Sequence, residues 1–144
     1  MFLSIGKLAP DFILPATDGG HYDFSGIAGD KATVLLFWCN HCPYVLGNQQ
    51  RVIEMQREYE GQGVRFAAVC SNNAQAYPQD DFEHMRQRAE ELGYNFPYLH
   101  DEDQEVARAY GAQRTPEAFL FDAKRVLRYH GRIDDNYQDL TKVL

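Results

Sequence analysis

The sequence predicts an α/β protein with a central mixed β-sheet flanked by helices. The continuously apolar run 32–38 is typical of a strand buried on both faces of a parallel or mixed sheet, and 64–70 is a second apolar run that predicts a strand. The stretch between them has apolar residues at helical spacing, namely Val45, Leu46, Val52, Ile53 and Tyr59. A strand, a helix and a second strand in this order predict a right-handed crossover between parallel strands.

The N-terminal region predicts a small hairpin beside this unit. Residues 1–32 are rich in glycine, aspartate and proline, which indicates turns. Short apolar patches at 12–14 and 21–24 predict an edge hairpin that turns at Gly19-Gly20.

The second half of the chain alternates short helices and strands. Asp80 and Glu83 are spaced as a capping box, which predicts the start of a helix, and Gly93 predicts its end. The remaining predicted elements are a short strand or extended link at 97–100, a short helix at 104–110 closed by Gly111, and a hairpin of strands 118–121 and 126–131.

The composition is that of an ordinary folded protein. Of the 144 residues, 44% are hydrophobic and 24% are charged. This length predicts one domain over residues 1–144, with a core large enough to fold without disulfide bonds.

The charge of the chain argues against two classes of partner. A formal charge of −7 and a pI near 5.1 repel nucleic acid phosphates and anionic lipid headgroups. We therefore expect no nucleic acid and no membrane among the partners. Residues 1–7 contain no basic stretch before an apolar segment, which predicts a cytoplasmic protein, although an exported mature form would have the same pattern.

A Cys-x-x-Cys pair lies between the first buried strand and the helix that follows it. The segment 38–43 reads Trp-Cys-Asn-His-Cys-Pro, and Pro43 suits the first turn of a helix because its missing N–H needs no partner. Two cysteines one helical turn apart can close a disulfide, and the N–H groups of a helix N-terminus favour a thiolate. The motif predicts a redox centre formed by Cys39 and Cys42.

The cysteine count supports this chemistry. Three cysteines are too few for a disulfide scaffold, and no second ligand pair stands at zinc spacing, so we expect no metal. The third cysteine, Cys70, ends the second buried strand, where a small buried side chain is the expected role.

Three features of the sequence form a specific combination: the segment 37–43 with its Cys-x-x-Cys pair, the pair Thr115-Pro116, and the segment 6–12, Gly-Lys-Leu-Ala-Pro-Asp-Phe. Together they resemble the thioredoxin superfamily, in particular its redoxin branch of TlpA-like and ResA-like thiol–disulfide oxidoreductases and AhpC/TSA relatives. The resemblance covers nearly the whole chain. It implies a thioredoxin-like fold with an N-terminal hairpin extension, and an enzyme that needs no metal or organic cofactor.

The resemblance also implies roles for the site residues. Cys39 is the expected nucleophile and Cys42 the resolving thiol in exchange with protein or small-molecule thiols and disulfides. Pro116 corresponds to the cis proline that packs beside the dithiol. Thr115 corresponds to the residue whose backbone pairs with a substrate strand.

Two neighbours of the cysteines are expected to tune the redox centre. His41 resembles the third motif position of the oxidising family members, so we expect a reduction potential less negative than the roughly −270 mV of thioredoxin. A solvated histidine of little effect is the alternative. Trp38 either shields the disulfide and lines the docking surface or is a plain core aromatic.

The sequence departs from the family pattern at the acid that assists the inner thiol. Thioredoxin has an aspartate six residues before its first cysteine, where this chain has Thr33, and ResA-type proteins have a glutamate three residues after the second, where it has Val45. Glu117, next to Pro116, is a candidate replacement, although a surface charge is the favoured interpretation. The histidines outside the motif, His130 among them, are expected to be structural or solvated.

The end of the chain departs from the pattern as well. The family has a closing helix, whereas residues 132–144 predict a polar loop and a segment too short for a stable helix. A short or missing C-terminal helix would expose an apolar sheet face, which a second copy of the chain in a homodimer would cover unless the sequence is a fragment.

Two other functions stay open at this point. A thiol peroxidase is the second enzymatic interpretation, but peroxiredoxins carry a Pro-x-x-x-Thr-x-x-Cys pattern, and neither the Pro nor the Thr falls in register within 32–39. A redox-inert binding module with the same fold is the third, although such proteins usually lose a cysteine.

Overall fold

The computed structural model describes residues 3–38, 43–71, 81–112 and 117–131. Along the chain the elements are β1 (Leu14–Pro15), β2 (His21–Tyr22), α1 (Phe24–Ile27), β3 (Ala32–Phe37), α2 (Pro43–Tyr59), β4 (Val64–Cys70), α3 (Phe82–Leu92), β5 (Tyr98–His100), α4 (Glu105–Tyr110), β6 (Glu117–Asp122) and β7 (Leu127–Gly131). A single 3₁₀ turn, Glu60–Gln62, follows α2.

Five strands form the main sheet, in the order β5-β4-β3-β6-β7. Strands β3, β4 and β5 are parallel neighbours, while β6 runs antiparallel to both β3 and β7. The predicted mixed sheet is therefore confirmed, and β3, the strand that leads into the Cys-x-x-Cys motif, lies at its centre.

The predicted N-terminal hairpin is also confirmed. Strands β1 and β2 pair antiparallel, and the Ala16 N–H donates to the Gly20 carbonyl at 2.8 Å across the turn. Gly19 has φ of 91°, a left-handed conformation that favours glycine. Helix α1 was not predicted, since it has only 4 residues; the Asp23 carboxylate caps it by accepting from the Gly26 N–H at 2.8 Å.

The two faces of the sheet bury separate apolar cores. The core on one face is rich in aromatic rings and includes Phe12, Phe24, Phe37, Tyr110, Phe119 and Phe121. The core on the other face lies under α2 and α3 and includes Leu36, Trp38, Val52, Ile53, Cys70 and Met85. Successive residues of a strand point to opposite faces, and so β3 contributes to both cores.

Close backbone packing fixes the start of β3 against the start of β4. The Lys31 N–H donates to the Gly63 carbonyl at 2.8 Å, and the Gly29 N–H donates to the Thr33 hydroxyl at 3.0 Å. A Cβ atom on Gly29 would stand 2.3 Å from the Ala32 carbonyl oxygen and 2.5 Å from that of Gly63. Glycine is therefore required where the chain enters the central strand.

The start of α3 differs from the prediction. Asp81 is the N-cap residue, and its carboxylate accepts from the His84 N–H at 2.8 Å; Asp80, the predicted cap, lies outside the described residues. Only Asp80 is followed by a glutamate three residues later, so the capping-box spacing favoured the wrong aspartate of the adjacent pair. The predicted ends of α3 and α4 are confirmed, because Gly93 and Gly111 adopt φ of 66° and 72° at the two C-caps.

Two further points concern membrane spans and the end of the chain. Among the helices of the described residues, none combines the length and the apolar character needed to cross a membrane. The predicted lack of a closing C-terminal helix concerns residues 132–144, which lie outside the described residues.

Candidate active site

The candidate site lies at the C-terminal edge of the central strand. Strand β3 ends at Phe37, and helix α2 begins at Pro43, so the motif occupies the connection between them. Cys39, His41 and Cys42 lie outside the described residues, as do Thr115 and Pro116. The structure describes the strands and the helix on both sides of these residues.

The sheet holds the chain up to the residue before the first cysteine of the motif. The Trp38 N–H donates to the Val69 carbonyl at 2.9 Å, which extends the β3–β4 ladder by one residue beyond Phe37. The carboxyl ends of neighbouring parallel strands are where ligands bind on open α/β sheets. The Cys-x-x-Cys segment thus starts at the edge of the sheet where chemistry is expected.

Trp38 is fully buried in the core beneath α2 and α3. Its indole packs against Phe96 and Tyr98 at centroid distances of 5.5 and 6.3 Å and against Tyr94 at 5.8 Å. Within the described part of the chain, no acceptor lies within hydrogen-bond distance of its Nε1. This placement agrees with the core-aromatic alternative, and a tuning role for Trp38 stays a prediction.

Cys70 ends β4 in the same core as Trp38. Its side chain is fully buried, which confirms the small buried residue expected from the sequence. In the parallel β4–β5 ladder its register partner is His100.

His100 was expected to be structural or solvated, and the structure shows it to be buried. The residue is 9% exposed, and its ring lies 5.6 Å from that of Phe82. No described residue is within hydrogen-bond distance of its Nε2. Burial lowers the pKa of His100 below its usual range, and the nearby Glu102, Asp101 and Asp81 carboxylates oppose this shift without cancelling it.

Asp101 is a buried carboxylate that the sequence analysis missed. It is fully buried and accepts from the Ser71 hydroxyl at 2.7 Å and from the N–H groups of Val106 and Ala107 at 3.2 and 2.9 Å. Its own N–H donates to the Cys70 carbonyl at 2.9 Å. Asp101 therefore ties α4 to the ends of β4 and β5, and its position shortly before the helix was the available sequence signal.

Glu117 is also buried, so the favoured interpretation as a surface charge was wrong. Its side chain is 9% exposed, and its Oε2 contacts Nε2 of His130, whose side chain is 18% exposed. The imidazole of His130 stacks on Phe119 with centroids 4.3 Å apart. The missed signal was the period of two along β6, which puts Glu117 on the same face as Phe119 and Phe121.

The described residues offer no ready metal site. Across 3–38, 43–71, 81–112 and 117–131, no group of three or more histidine, cysteine, aspartate or glutamate side chains is placed to hold a metal ion. The ionisable side chains that the structure describes at this edge of the sheet include His100, the helix-capping carboxylate Asp101 and the Glu117–His130 pair.

Known structures identify the class to which this architecture belongs. Etrx1, a pneumococcal exposed lipoprotein thioredoxin from Streptococcus pneumoniae strain TIGR4, matches with a TM-score of 0.75 over 93% of this chain and 95% of its own, at 22% identity. An uncharacterized conserved protein from Geobacillus kaustophilus matches with a TM-score of 0.90 and 45% identity over 94% of this chain and 72% of its own. The protein has a thioredoxin-like fold.

The family follows from the sequence match. A model of the AhpC/TSA family matches residues 5–130, and the chain belongs to this family. A curated relative, the thiol-disulfide oxidoreductase ResA of Geobacillus thermodenitrificans strain NG80-2, is 28% identical over 120 residues, which are 83% of this chain and 64% of that protein. The chain thus spans less than two thirds of the length of this relative.

Proposed function

We propose that the chain is a thiol–disulfide oxidoreductase whose redox centre is the pair Cys39 and Cys42. The observation that carries the proposal is the place of the motif, between the end of the central strand β3 and the start of α2 at Pro43. A cysteine at the N-terminus of a 17-residue helix gains the stabilisation that a thiolate needs. The name of the ResA relative, together with the thioredoxin-like fold, supports this chemistry.

In the proposed reaction, the thiolate of Cys39 attacks one sulfur of a substrate disulfide. A Cys39–substrate disulfide forms, and the other half of the substrate leaves as a thiolate. Cys42 then loses its proton and attacks the Cys39 sulfur, so that the Cys39–Cys42 disulfide forms and the second half of the substrate leaves. The substrate gains two electrons and the dithiol loses two; the reverse sequence oxidises a substrate dithiol.

The remaining site residues would control docking and the direction of electron flow. We propose that the backbone of Thr115 pairs with the substrate strand, that Pro116 packs beside the dithiol, and that His41 raises the reduction potential above the roughly −270 mV of thioredoxin. Equilibration with glutathione measures that potential, and a value at or below that of thioredoxin contradicts the role of His41. The expected substrates are protein or small-molecule thiols and disulfides.

Trapping of the mixed disulfide tests the roles of the two cysteines. The Cys42→Ser variant is expected to accumulate a covalent adduct with a substrate disulfide, because no thiol is left to release it. Cys39→Ser is expected to trap nothing. Cys70→Ser is the matched control and is expected to behave as the wild type, since Cys70 is buried in the core. Equal trapping by Cys39→Ser and Cys42→Ser would refute the assignment.

Membership of the AhpC/TSA family makes a thiol peroxidase the second candidate. In that case the wild type would consume peroxide steadily, and Cys39→Ser would abolish the activity. We expect no such turnover. Absence of both disulfide exchange and peroxide turnover in the folded wild type would favour a redox-inert binding module.

We further propose that residues 1–144 form one domain that works in the cytoplasm as a homodimer. Limited proteolysis, fractionation of cells and sedimentation of the purified chain test these three statements. A monomer at micromolar concentration would contradict the dimer.

A further inference from the structure

One charged side chain interrupts the apolar run of β4. Arg65 is the second residue of this strand and is partly buried. Its guanidinium donates from Nη1 to the Gly26 carbonyl at 3.0 Å, which fixes its direction. Among the described residues no carboxylate forms an ion pair with it. Because taking a charge partly out of water costs free energy unless an opposite charge compensates, Arg65 is placed to bind an anion.

Arg65 lies where two cavities meet at the N-terminal ends of the parallel strands. The larger cavity, of about 500 Å³, extends to the N-terminal hairpin and α3, and the smaller, of about 250 Å³, extends to the end of α2. Arg65, Asn95 and Pro97 line both. Cavities of several hundred Å³ with a few polar groups are typical of small-molecule sites. Cys70, at the other end of β4, is about 17 Å away along the strand, so this place is separate from the edge where the Cys-x-x-Cys motif begins.

The other charged side chains of the larger cavity are engaged within the fold. Arg86 binds Glu90 at 3.3 Å on the same helix. The Asp18 carboxylate accepts from the Tyr22 hydroxyl across the hairpin turn. Among the described residues that line this cavity, Arg65 is therefore the cation left for a bound carboxylate.

The smaller cavity adds two carboxylates to this cation. Asp30, just before β3, and Glu60, just after α2, line it together with Arg65. Neither carboxylate forms an ion pair or a side-chain hydrogen bond with another described residue. The carboxamide of Gln56 in the same wall is bound to the backbone of β4. The cavity thus presents charges of both signs that the fold does not pair with one another.

We propose that these joined cavities bind a small zwitterionic peptide, a molecule with a free ammonium group and a carboxylate. The carboxylate of the peptide binds the guanidinium of Arg65, whose planar fork matches it, and the ammonium group binds Asp30 and Glu60. The two carboxylates disfavour a simple anion, and Arg65 disfavours a simple cation. The rest of the peptide extends past Pro97 into the larger cavity. This inference does not depend on the proposed function.

S-Methylglutathione is a suitable probe, because it carries an ammonium group and carboxylates while its blocked sulfur cannot react with a thiol. Isothermal titration calorimetry of the wild type is expected to show saturable binding at millimolar concentrations. Arg65→Gln is expected to weaken binding at least about tenfold, the size of the loss of one charge-assisted hydrogen bond. Arg65→Lys keeps the charge without the planar fork and is expected to fall between the two. Arg86→Gln is the matched control and is expected to bind as the wild type, since Arg86 is already paired within α3.

A double-mutant cycle tests the ammonium end. Acetylation of the amino group of the probe removes its positive charge and is expected to weaken binding to the wild type. In the double variant Asp30→Asn/Glu60→Gln the same acetylation is expected to weaken binding less, because the partners of the ammonium group are gone. Equal effects of acetylation in the two proteins would contradict the assignment of the carboxylates.

The outcomes separate this inference from the proposed function. The same affinity in wild type and folded Arg65→Gln, or no saturable binding to the wild type, overturns the inference and leaves thiol exchange untouched. A wild type that binds the probe but exchanges no disulfide contradicts the proposed function alone. If Arg65→Gln does not fold, the amide resonances of the wild type decide: shifts at Gly63 and Asn95 during titration support the site, and their absence overturns it.

Discussion

Two pairs of a carboxylate and a histidine occupy contrasting places in this fold. Asp81 and His84 meet at the start of α3, where His84 Nδ1 lies 2.7 Å from the Asp81 carboxylate and the two side chains are 43% and 52% exposed. Glu117 and His130 meet between β6 and β7, where the corresponding exposures are 9% and 18%. The chemical groups are the same, and the surroundings differ.

The contrast shows that surroundings decide what such a pair does. The exposed pair serves the helix, since the Asp81 carboxylate also accepts from the His84 N–H, and these two hydrogen bonds hold the pKa of Asp81 below its usual range. Water screens its charges, so its contribution to stability is small. The buried pair is shielded from water, so the attraction between its two side chains is screened less than at the surface.

The largest expected effect comes from breaking the buried pair. His130→Ala removes the imidazole partner of a buried carboxylate and the ring stacked on Phe119, and we expect a loss of about 3 kcal/mol in the free energy of unfolding. Urea denaturation measures this loss. His130→Phe restores the stacked ring without the imidazole, so recovery of full stability in that variant would show that stacking, not the pair, is responsible.

The next effect is a dependence of stability on pH that arises at His100. This histidine is buried, and among the described residues no carboxylate is hydrogen-bonded to its ring. Because burial lowers its pKa, the unfolded chain binds more protons than the folded one below pH of about 6.5, and the free energy of unfolding falls as the pH falls through this window. The carboxylates whose pKa values are lowered in the folded chain change the free energy of unfolding only in more acidic solution. In His100→Gln we expect the free energy of unfolding to depend less on pH between about pH 5 and 7. Urea denaturation at several pH values measures this dependence. The same dependence on pH in the variant and in the wild type would contradict an origin at His100.

The smallest effect is expected at the exposed pair. Asp81→Asn keeps a good N-cap residue and removes only the charge, so thermal unfolding should change little, whereas Asp81→Ala removes the cap hydrogen bond and lowers the melting temperature slightly. A loss in Asp81→Asn as large as that in Asp81→Ala would mean that the charge, rather than the cap, stabilises α3.

Much of the fold could be predicted from the sequence because its signals are local. The bounds of β4 match the apolar run 64–70. The end of α3 could be predicted because Gly93 readily adopts the left-handed conformation of a helix C-cap. The position of the motif between a strand and a helix was evident for the same reason. The choice between the adjacent aspartates before α3 was not, since either side chain can cap a helix and the capping-box spacing indicated Asp80 rather than Asp81.

The groups around the site were harder to predict because they depend on pairing between distant strands. Glu117 and His130 are 13 residues apart, and only the register of β6 and β7 makes them neighbours. Likewise, the burial of His100 follows from the parallel pairing of β5 with β4. A single sequence shows which residues alternate along a strand, but not which residue each will face.

The central place of β3 has a consequence for the timing of local opening. Its six residues are paired with β4 on one side and with β6 on the other, so their amide hydrogens exchange with solvent only when one of these ladders separates. The Cys-x-x-Cys segment is thus joined at its N-terminal side to a strand whose amide hydrogens we expect to exchange slowly. The proposed thiol exchange would not require this strand to loosen.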